Sequence, residues 1–212
     1  IQVDLEASDI KEICTNRLLG KATSGQAQLE KLFEQFGPQL RANTKLQDAK
    51  YYDSDFSKTD FVNLYPFLPA HFSILLHLLG ALAKSTGGIG LRSAIKVIQD
   101  ILTEPHAGEL PMADWPLGRL ATTVTLYDAL EKDIARAAGS LHQALTKVFI
   151  QYLDSPLHQE VGKTILVLQL LANMPVTVQN VAALMQPTVD GGSRLNEVRQ
   201  AVEDMIKHPL VP

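Results

Sequence analysis

Cysteine is nearly absent from this sequence, since Cys14 is the single one among 212 residues. One cysteine cannot form a disulfide within the chain, and it cannot build a zinc site from several thiolates. Chains without disulfides are typical of reducing compartments. We therefore expect a cytoplasmic protein.

Long hydrophobic runs are also missing. The longest apolar stretches, residues 72–83 and 165–172, are interrupted by His77 and Gln169 and are shorter than the roughly 20 residues that span a bilayer. No strong excess of one charge is present either, because 19 Lys and Arg face 23 Asp and Glu, a net charge of -4. That balance argues against a nucleic-acid surface covering the whole molecule, although it is compatible with a local basic patch.

Motifs of self-sufficient active sites are lacking as well. The sequence Val161-Gly162-Lys163-Thr164 ends like a phosphate-binding loop, but Pro156 stands where that loop needs its first glycine, and the context is helical. The six histidines are scattered, and no nucleophile elbow is present. We expect no catalytic residue and no metal ligand in this chain.

What the sequence does contain is apolar residues at helical spacing, and this periodicity predicts an all-α fold. Pro66 and Pro69 flank an aromatic segment and predict a helix that begins near Pro69. That helix is apolar nearly all round, so it should lie at the centre of a bundle, with Phe67 and Phe72 in the core. Residues 1–5 alternate like a short strand, and a second helix should end at Gly37-Pro38.

The helices predicted in the last third of the chain are shorter and more closely spaced. Three short helices are expected, over residues 160–172, 177–185 and 193–206, with Thr177 as the N-cap of the middle one. This order is typical of a helix-turn-helix or winged-helix module. We therefore divide the chain into a helical domain at 1–104, connecting helices at 105–158 and the three-helix module at 159–212.

Arg92 follows the glycine-rich segment 87–90 at the predicted start of a helix. An arginine held there can grip phosphate oxygens, although pairing with a surface carboxylate is an equal alternative. Arg194, Arg199 and Lys207 occupy the last predicted helix, where a helix-turn-helix protein carries its DNA contacts. Acidic residues are interleaved with them, so a solvated surface is the competing interpretation.

The ordered motifs resemble one family. They are Tyr65-Pro66-Phe67-Leu68-Pro69 with Phe72, the helix of Arg92-Ser93, Gly108-Glu109-Leu110-Pro111, and the segment from Lys163 through Met174-Pro175-Val176-Thr177 to Met185. This order is similar to the large P-loop ATPases of bacteriophage-exclusion (BREX) and phage-growth-limitation systems, the BrxC/PglY group. The resemblance covers residues 60–210, and residues 1–20 are similar to the segment that leads from an AAA+ core to its helical lid.

The resemblance implies an internal fragment of a phage-defence ATPase, with an AAA+ lid-like bundle and the Walker motifs upstream. ATP and Mg²⁺ would bind the parent protein and not this fragment. Arg92 resembles the sensor-2 arginine that reaches the terminal phosphate, although Leu91 replaces the acidic residue often found before it. The implied partners are the upstream ATPase core, other defence proteins and DNA. The alternative is a stand-alone DNA-binding or protein-interaction module without a nucleotide role.

Overall fold

The computed structural model describes residues 7–52, 55–86, 91–105 and 108–207. Within these ranges the chain forms ten α-helices and a short 3-10 helix, and the isolated bridge between Arg119 and Thr188 is the one β-type pairing. The helices are α1 (Ala7–Arg17), α2 (Thr23–Asn43), α3 (Lys58–Leu64), α4 (Pro69–Thr86), α5 (Leu91–Thr103), the 3-10 helix (Met112–Asp114), α6 (Thr123–Ala137), α7 (Gly139–Gln151), α8 (Pro156–Gln169), α9 (Val178–Leu184) and α10 (Leu195–Lys207). The predicted all-α fold is confirmed. The strand predicted at residues 1–5 lies outside the described residues.

Helix α4 is the central helix, as its apolar surface predicted. It begins at Pro69, where the missing N–H of proline costs no helical hydrogen bond, and it contacts α3, α5 and α6. Phe67 and Phe72 are at most 1% exposed and meet edge to face with their ring centroids 6.2 Å apart. Both were expected in the core, and both are there.

The predicted end of the second helix at Gly37-Pro38 is wrong, because α2 continues to Asn43. Pro38 lacks the N–H that would bond the preceding turn, a cost of about 3 kcal/mol. The continuation buries Leu40 completely, on the same face as Leu29 and Phe33. This face packs on Phe56, Phe61, Leu68, Leu120 and Val189 in a second, smaller core. Burial of that stripe offsets the loss of one hydrogen bond.

The last three helices, α8, α9 and α10, contact one another, as expected for the three-helix group. Thr177 caps α9 by accepting a hydrogen bond from the Asn180 N–H at 3.2 Å, which confirms its predicted role. Helix α8 begins at Pro156, four residues earlier than predicted, and α10 begins at Leu195. The wing of a winged helix would follow α10, outside the described residues.

One main hydrophobic core runs from Ile10 in α1 to Ala201 in α10. It therefore takes residues from all three predicted segments, whose boundaries at 104/105 and 158/159 stay predictions. In the described ranges no single helix combines the length and the apolar composition of a membrane span. Within the same ranges, α3 and α4 taken together have that length and composition, and they are bent by 51° at the break between them.

Candidate functional site

A cleft of about 270 Å³ lies among α5, α6, α8, the 3-10 helix and the segment before α10. Its lining contains three cationic side chains and four carboxylates: Arg119, Lys163, Arg194, Glu104, Glu109, Asp128 and Glu160. We call this group the charged cleft. It is the best candidate for a functional site because its charges are drawn from distant parts of the chain.

Lys163 of α8 and Asp128 of α6 form its most buried ion pair. The Lys163 Nζ donates to an Asp128 carboxylate oxygen at 2.7 Å, and the side chains are 18% and 15% exposed. A capping box of Thr122 and Thr125 starts α6 and so fixes the position of Asp128. Burial raises the pKa of Asp128, while the hydrogen bond and the charge of Lys163 act in the opposite direction. The ion pair with Lys163 thus offsets part of the cost of burying the Asp128 carboxylate.

Arg194 ties three parts of the cleft together. Its guanidinium donates to Glu160 of α8 at 3.1 Å, to Glu197 of α10 at 2.7 Å and to the Met185 carbonyl at 3.2 Å. Only 17% of its side chain is exposed. The planar fork of an arginine suits such a shared arrangement, which a lysine cannot reproduce.

Arg119 lies in the loop between the 3-10 helix and α6. Its guanidinium pairs with Glu109 and stacks over Trp115, with 4.0 Å between the guanidinium carbon and the ring centroid. The same loop bonds the segment before α10, because the Leu120 N–H donates to the Pro187 carbonyl at 2.8 Å. Trp115 and Arg119 are four residues apart outside any helix, so sequence periodicity gives no signal for this contact.

Each cation of the charged cleft is therefore paired with a carboxylate. Lys163 and Arg194 reach carboxylates of other helices, whereas Arg119 and Glu109 both lie in the connection between α5 and α6. Such an arrangement cross-links α6, α8, α10 and the connecting loop, and an incoming anion would have to compete with the carboxylates already bound. Among the described residues, no group of three or more His, Cys, Asp or Glu side chains is placed to hold a metal ion.

Arg92 is the second residue of α5, which begins at Leu91. The backbone therefore places it in the first turn of a helix, as predicted. Its side chain and the preceding glycine-rich segment 87–90 lie outside the described part of the structure. Its role as a sensor of nucleotide stays a prediction.

The three candidate DNA contacts are not alike. Arg199 and Lys207 are exposed on α10, and Arg199 also lies 3.5 Å from the Asn196 side-chain oxygen. Arg194 precedes α10 and is held in the charged cleft. The structure thus separates Arg194 from the other two, and DNA binding by any of them stays a prediction.

The sequence Val161-Gly162-Lys163-Thr164 lies inside α8, the helical context that argued against a phosphate-binding loop. The Thr164 hydroxyl is fully buried and lies 2.8 Å from the Thr123 hydroxyl, while Lys163 is bound to Asp128. In the sequence, Lys163 stands out through this partial motif and as the first residue of a segment that resembles the family. Its partner is 35 residues away and carries no local signal.

Residues 11–164 match the model of the family described as the second domain of the PglY ATPase of BREX systems. The chain belongs to this family. The match runs from α1 into α8, so it includes Asp128 and Lys163 of the charged cleft, whereas Arg194 and α10 lie beyond it. No curated protein and no solved structure matches the chain.

Proposed function

We propose that this PglY second domain is a non-catalytic regulatory region of a phage-defence ATPase, and that it couples the nucleotide state of the parent protein to engagement of a partner. The family match carries this proposal, because it assigns the chain to a second domain of an ATPase. In this proposal ATP and Mg²⁺ bind elsewhere in the parent protein. The protein acts in the cytoplasm, in keeping with a single buried cysteine.

The surroundings of Lys163 support a non-catalytic role. A phosphate-binding loop cradles phosphates with free backbone N–H groups and leaves its lysine available. Here the corresponding residues lie in the middle of a helix, and the Lys163 ammonium is bound to Asp128 at 2.7 Å. The isolated domain should therefore not hydrolyse ATP. Turnover by the purified domain that a substitution within it abolishes would contradict the proposal.

The charged cleft supports coupling between parts of the chain. Its lining brings together Glu104, which directly follows α5, Asp128 of α6, and Glu160 and Lys163 of α8. In this proposal a shift at the end of α5 reaches the last three helices through the cleft. The partners that we propose are the ATPase core of the same chain and other phage-defence proteins. The core would contact α5 at Arg92.

The test of the Arg92 proposal uses the full-length ATPase. Arg92→Ala should lower ATP turnover without changing the thermal midpoint, because the guanidinium would act on nucleotide rather than on packing. Lys96→Ala, one turn further along α5, is the matched control: Lys96 is 76% exposed, and its ion pair in the described part of the chain is with its helix neighbour Asp100. Equal turnover by wild type and Arg92→Ala would remove Arg92 from the proposal.

The exposed Arg199 and Lys207 favour a second candidate function, DNA binding by α10. Each phosphate contact contributes about 0.9 to the slope of log affinity against log salt concentration. Arg199→Gln and Lys207→Gln should then each reduce that slope by roughly one. Lys147→Gln, at an exposed position of α7, is the control and should leave the slope unchanged. An affinity for duplex DNA that neither variant changes would leave only the protein-interaction role.

A further inference from the structure

A second cavity, of about 470 Å³, lies between the end of α1, the end of α5 and the 3-10 helix. Its walls are mainly apolar and include Leu19, Leu102, Met112 and Trp115. Small-molecule sites are concave, mostly apolar and about 300–1,000 Å³ in volume, with a few polar groups that set orientation. We call this space the basic cavity, because of the two cations described next.

Arg17, the last residue of α1, and Lys21, in the turn to α2, both line the basic cavity. Among the described residues of its lining, none is Asp or Glu. This is unusual in a chain whose carboxylates outnumber its cations, 23 to 19. It also sets this cavity apart from the charged cleft, where every cation has a carboxylate partner.

Lys21 is a half-buried lysine with one hydrogen bond to the protein. Its ammonium can donate three hydrogen bonds, and in the described part of the chain it donates one, to the Asn63 carbonyl at 2.9 Å. No ion pair compensates its charge there. Burial lowers the pKa of Lys21 to about 8, because the ammonium loses hydration without gaining a carboxylate. An anion beside Lys21 would supply what the protein does not.

We propose that the basic cavity binds a small organic anion, with its apolar body against Leu102, Met112 and Trp115 and its anionic group held by Arg17 and Lys21. The apolar wall gives affinity by burial, and the two cations select a carboxylate, sulfonate or phosphate ester. This proposal is independent of the proposed regulatory role, because ligand binding is measured on the domain alone.

The probe is 8-anilinonaphthalene-1-sulfonate, an aromatic sulfonate whose fluorescence rises in apolar sites. Its neutral counterpart, N-phenyl-1-naphthylamine, lacks the sulfonate and reports on the apolar wall alone. The folded domain should bind the sulfonate at one site, and the probe should raise the thermal midpoint, as a ligand of the native state does. 1-Naphthoate should displace it, and 1-naphthalenemethanol should not.

Two charge variants test the assignment. Lys21→Met keeps the apolar stem and should weaken sulfonate binding about tenfold, the loss of one charge-assisted hydrogen bond. Arg17 is exposed, so Arg17→Gln should leave folding intact, and it should weaken sulfonate binding severalfold. Neither should change binding of the neutral probe, and Lys31→Met, on the exposed face of α2, should change neither affinity.

Absence of saturable sulfonate binding by the folded wild type would overturn the proposal. So would equal sulfonate affinity in wild type, Lys21→Met and Arg17→Gln. If Lys21→Met and Arg17→Gln weakened both probes alike, the cations would support only the shape of the cavity, and the anion site would be rejected.

Discussion

The ammonium of Lys163 lies 2.7 Å from a carboxylate oxygen of Asp128, and both side chains are more than four-fifths buried. The ammonium is therefore already bound to a carboxylate, whereas a phosphate-binding loop leaves its lysine available to a nucleotide. The rings of Tyr127 and Phe149 also lie near this ammonium, with their centroids 5.7 Å and 5.8 Å from the Lys163 Nζ. Lys163 therefore connects α8 to α6.

Removing one member of this pair should cost more than removing both. Lys163→Met leaves the Asp128 carboxylate buried without a partner, so the free energy of unfolding should fall by about 3 kcal/mol. The double variant Lys163→Met with Asp128→Leu should recover to within about 1 kcal/mol of wild type. Urea unfolding followed by circular dichroism measures both values. A single variant as stable as wild type would contradict the structural role of Lys163.

Arg194 should also matter more for stability than for ligand binding. Arg194→Gln breaks the bonds to Glu160 and Glu197, and it leaves the partly buried Glu160 carboxylate without this partner, so we expect a loss of about 2 kcal/mol. Arg199→Gln, on the exposed face of α10, should change the unfolding free energy by less than about 0.5 kcal/mol. Equal losses for the two variants in urea unfolding would contradict this difference in environment.

Elements with a local signal could be predicted from the sequence. The apolar surface of α4, its start at Pro69 and the Thr177 cap each depend on residues within a few positions of one another. The family resemblance rested on ordered motifs of the same kind, and the family match confirms it. The end of α2 could not be predicted, because its local signal, Gly37-Pro38, is overridden by burial of Leu40.

The candidate site depends on contacts between distant residues, which leave no local pattern. Asn180, which lies outside the charged cleft, shows the same kind of contact: it is fully buried, and its side chain accepts from the Gln47 N–H and donates to the Gln47 carbonyl, 133 positions away. The pairing of Lys163 with Asp128 is of the same type. Arg194 was predicted as a DNA contact from its place near the last helix, and only the fold shows that carboxylates surround it.

Gly37 should resist substitution although it lies inside a helix. A Cβ there would lie 2.9 Å from the Phe33 ring, which is itself held by Phe56 and Phe61. Gly37→Ala should therefore destabilise the domain by about 1–2 kcal/mol despite the better helix propensity of alanine. Gly25→Ala is the control in the same helix, since nothing lies within 4 Å of its Cβ, and it should stabilise the domain by about 0.5 kcal/mol. Gain of stability in both variants, measured as thermal midpoints, would show that the Phe33 ring can move aside.

His71 should make the domain sensitive to acid. It is 1% exposed, its Nε2–H donates to the Leu184 carbonyl at 2.9 Å, and burial lowers its pKa from 6.5 to about 4. As the pH falls, the unfolded chain binds the proton first, so this contribution to stability is complete above pH 6.5 and is lost between pH 6.5 and 4, by about 3 kcal/mol. His71→Gln keeps a donor for the Leu184 carbonyl but cannot titrate. Its deficit relative to wild type in urea unfolding should therefore shrink across that pH window, while carboxylate effects common to both proteins cancel. A deficit that is the same at pH 7 and pH 4.5 would show that the pKa of His71 is the same in the folded and the unfolded chain, and would contradict the prediction.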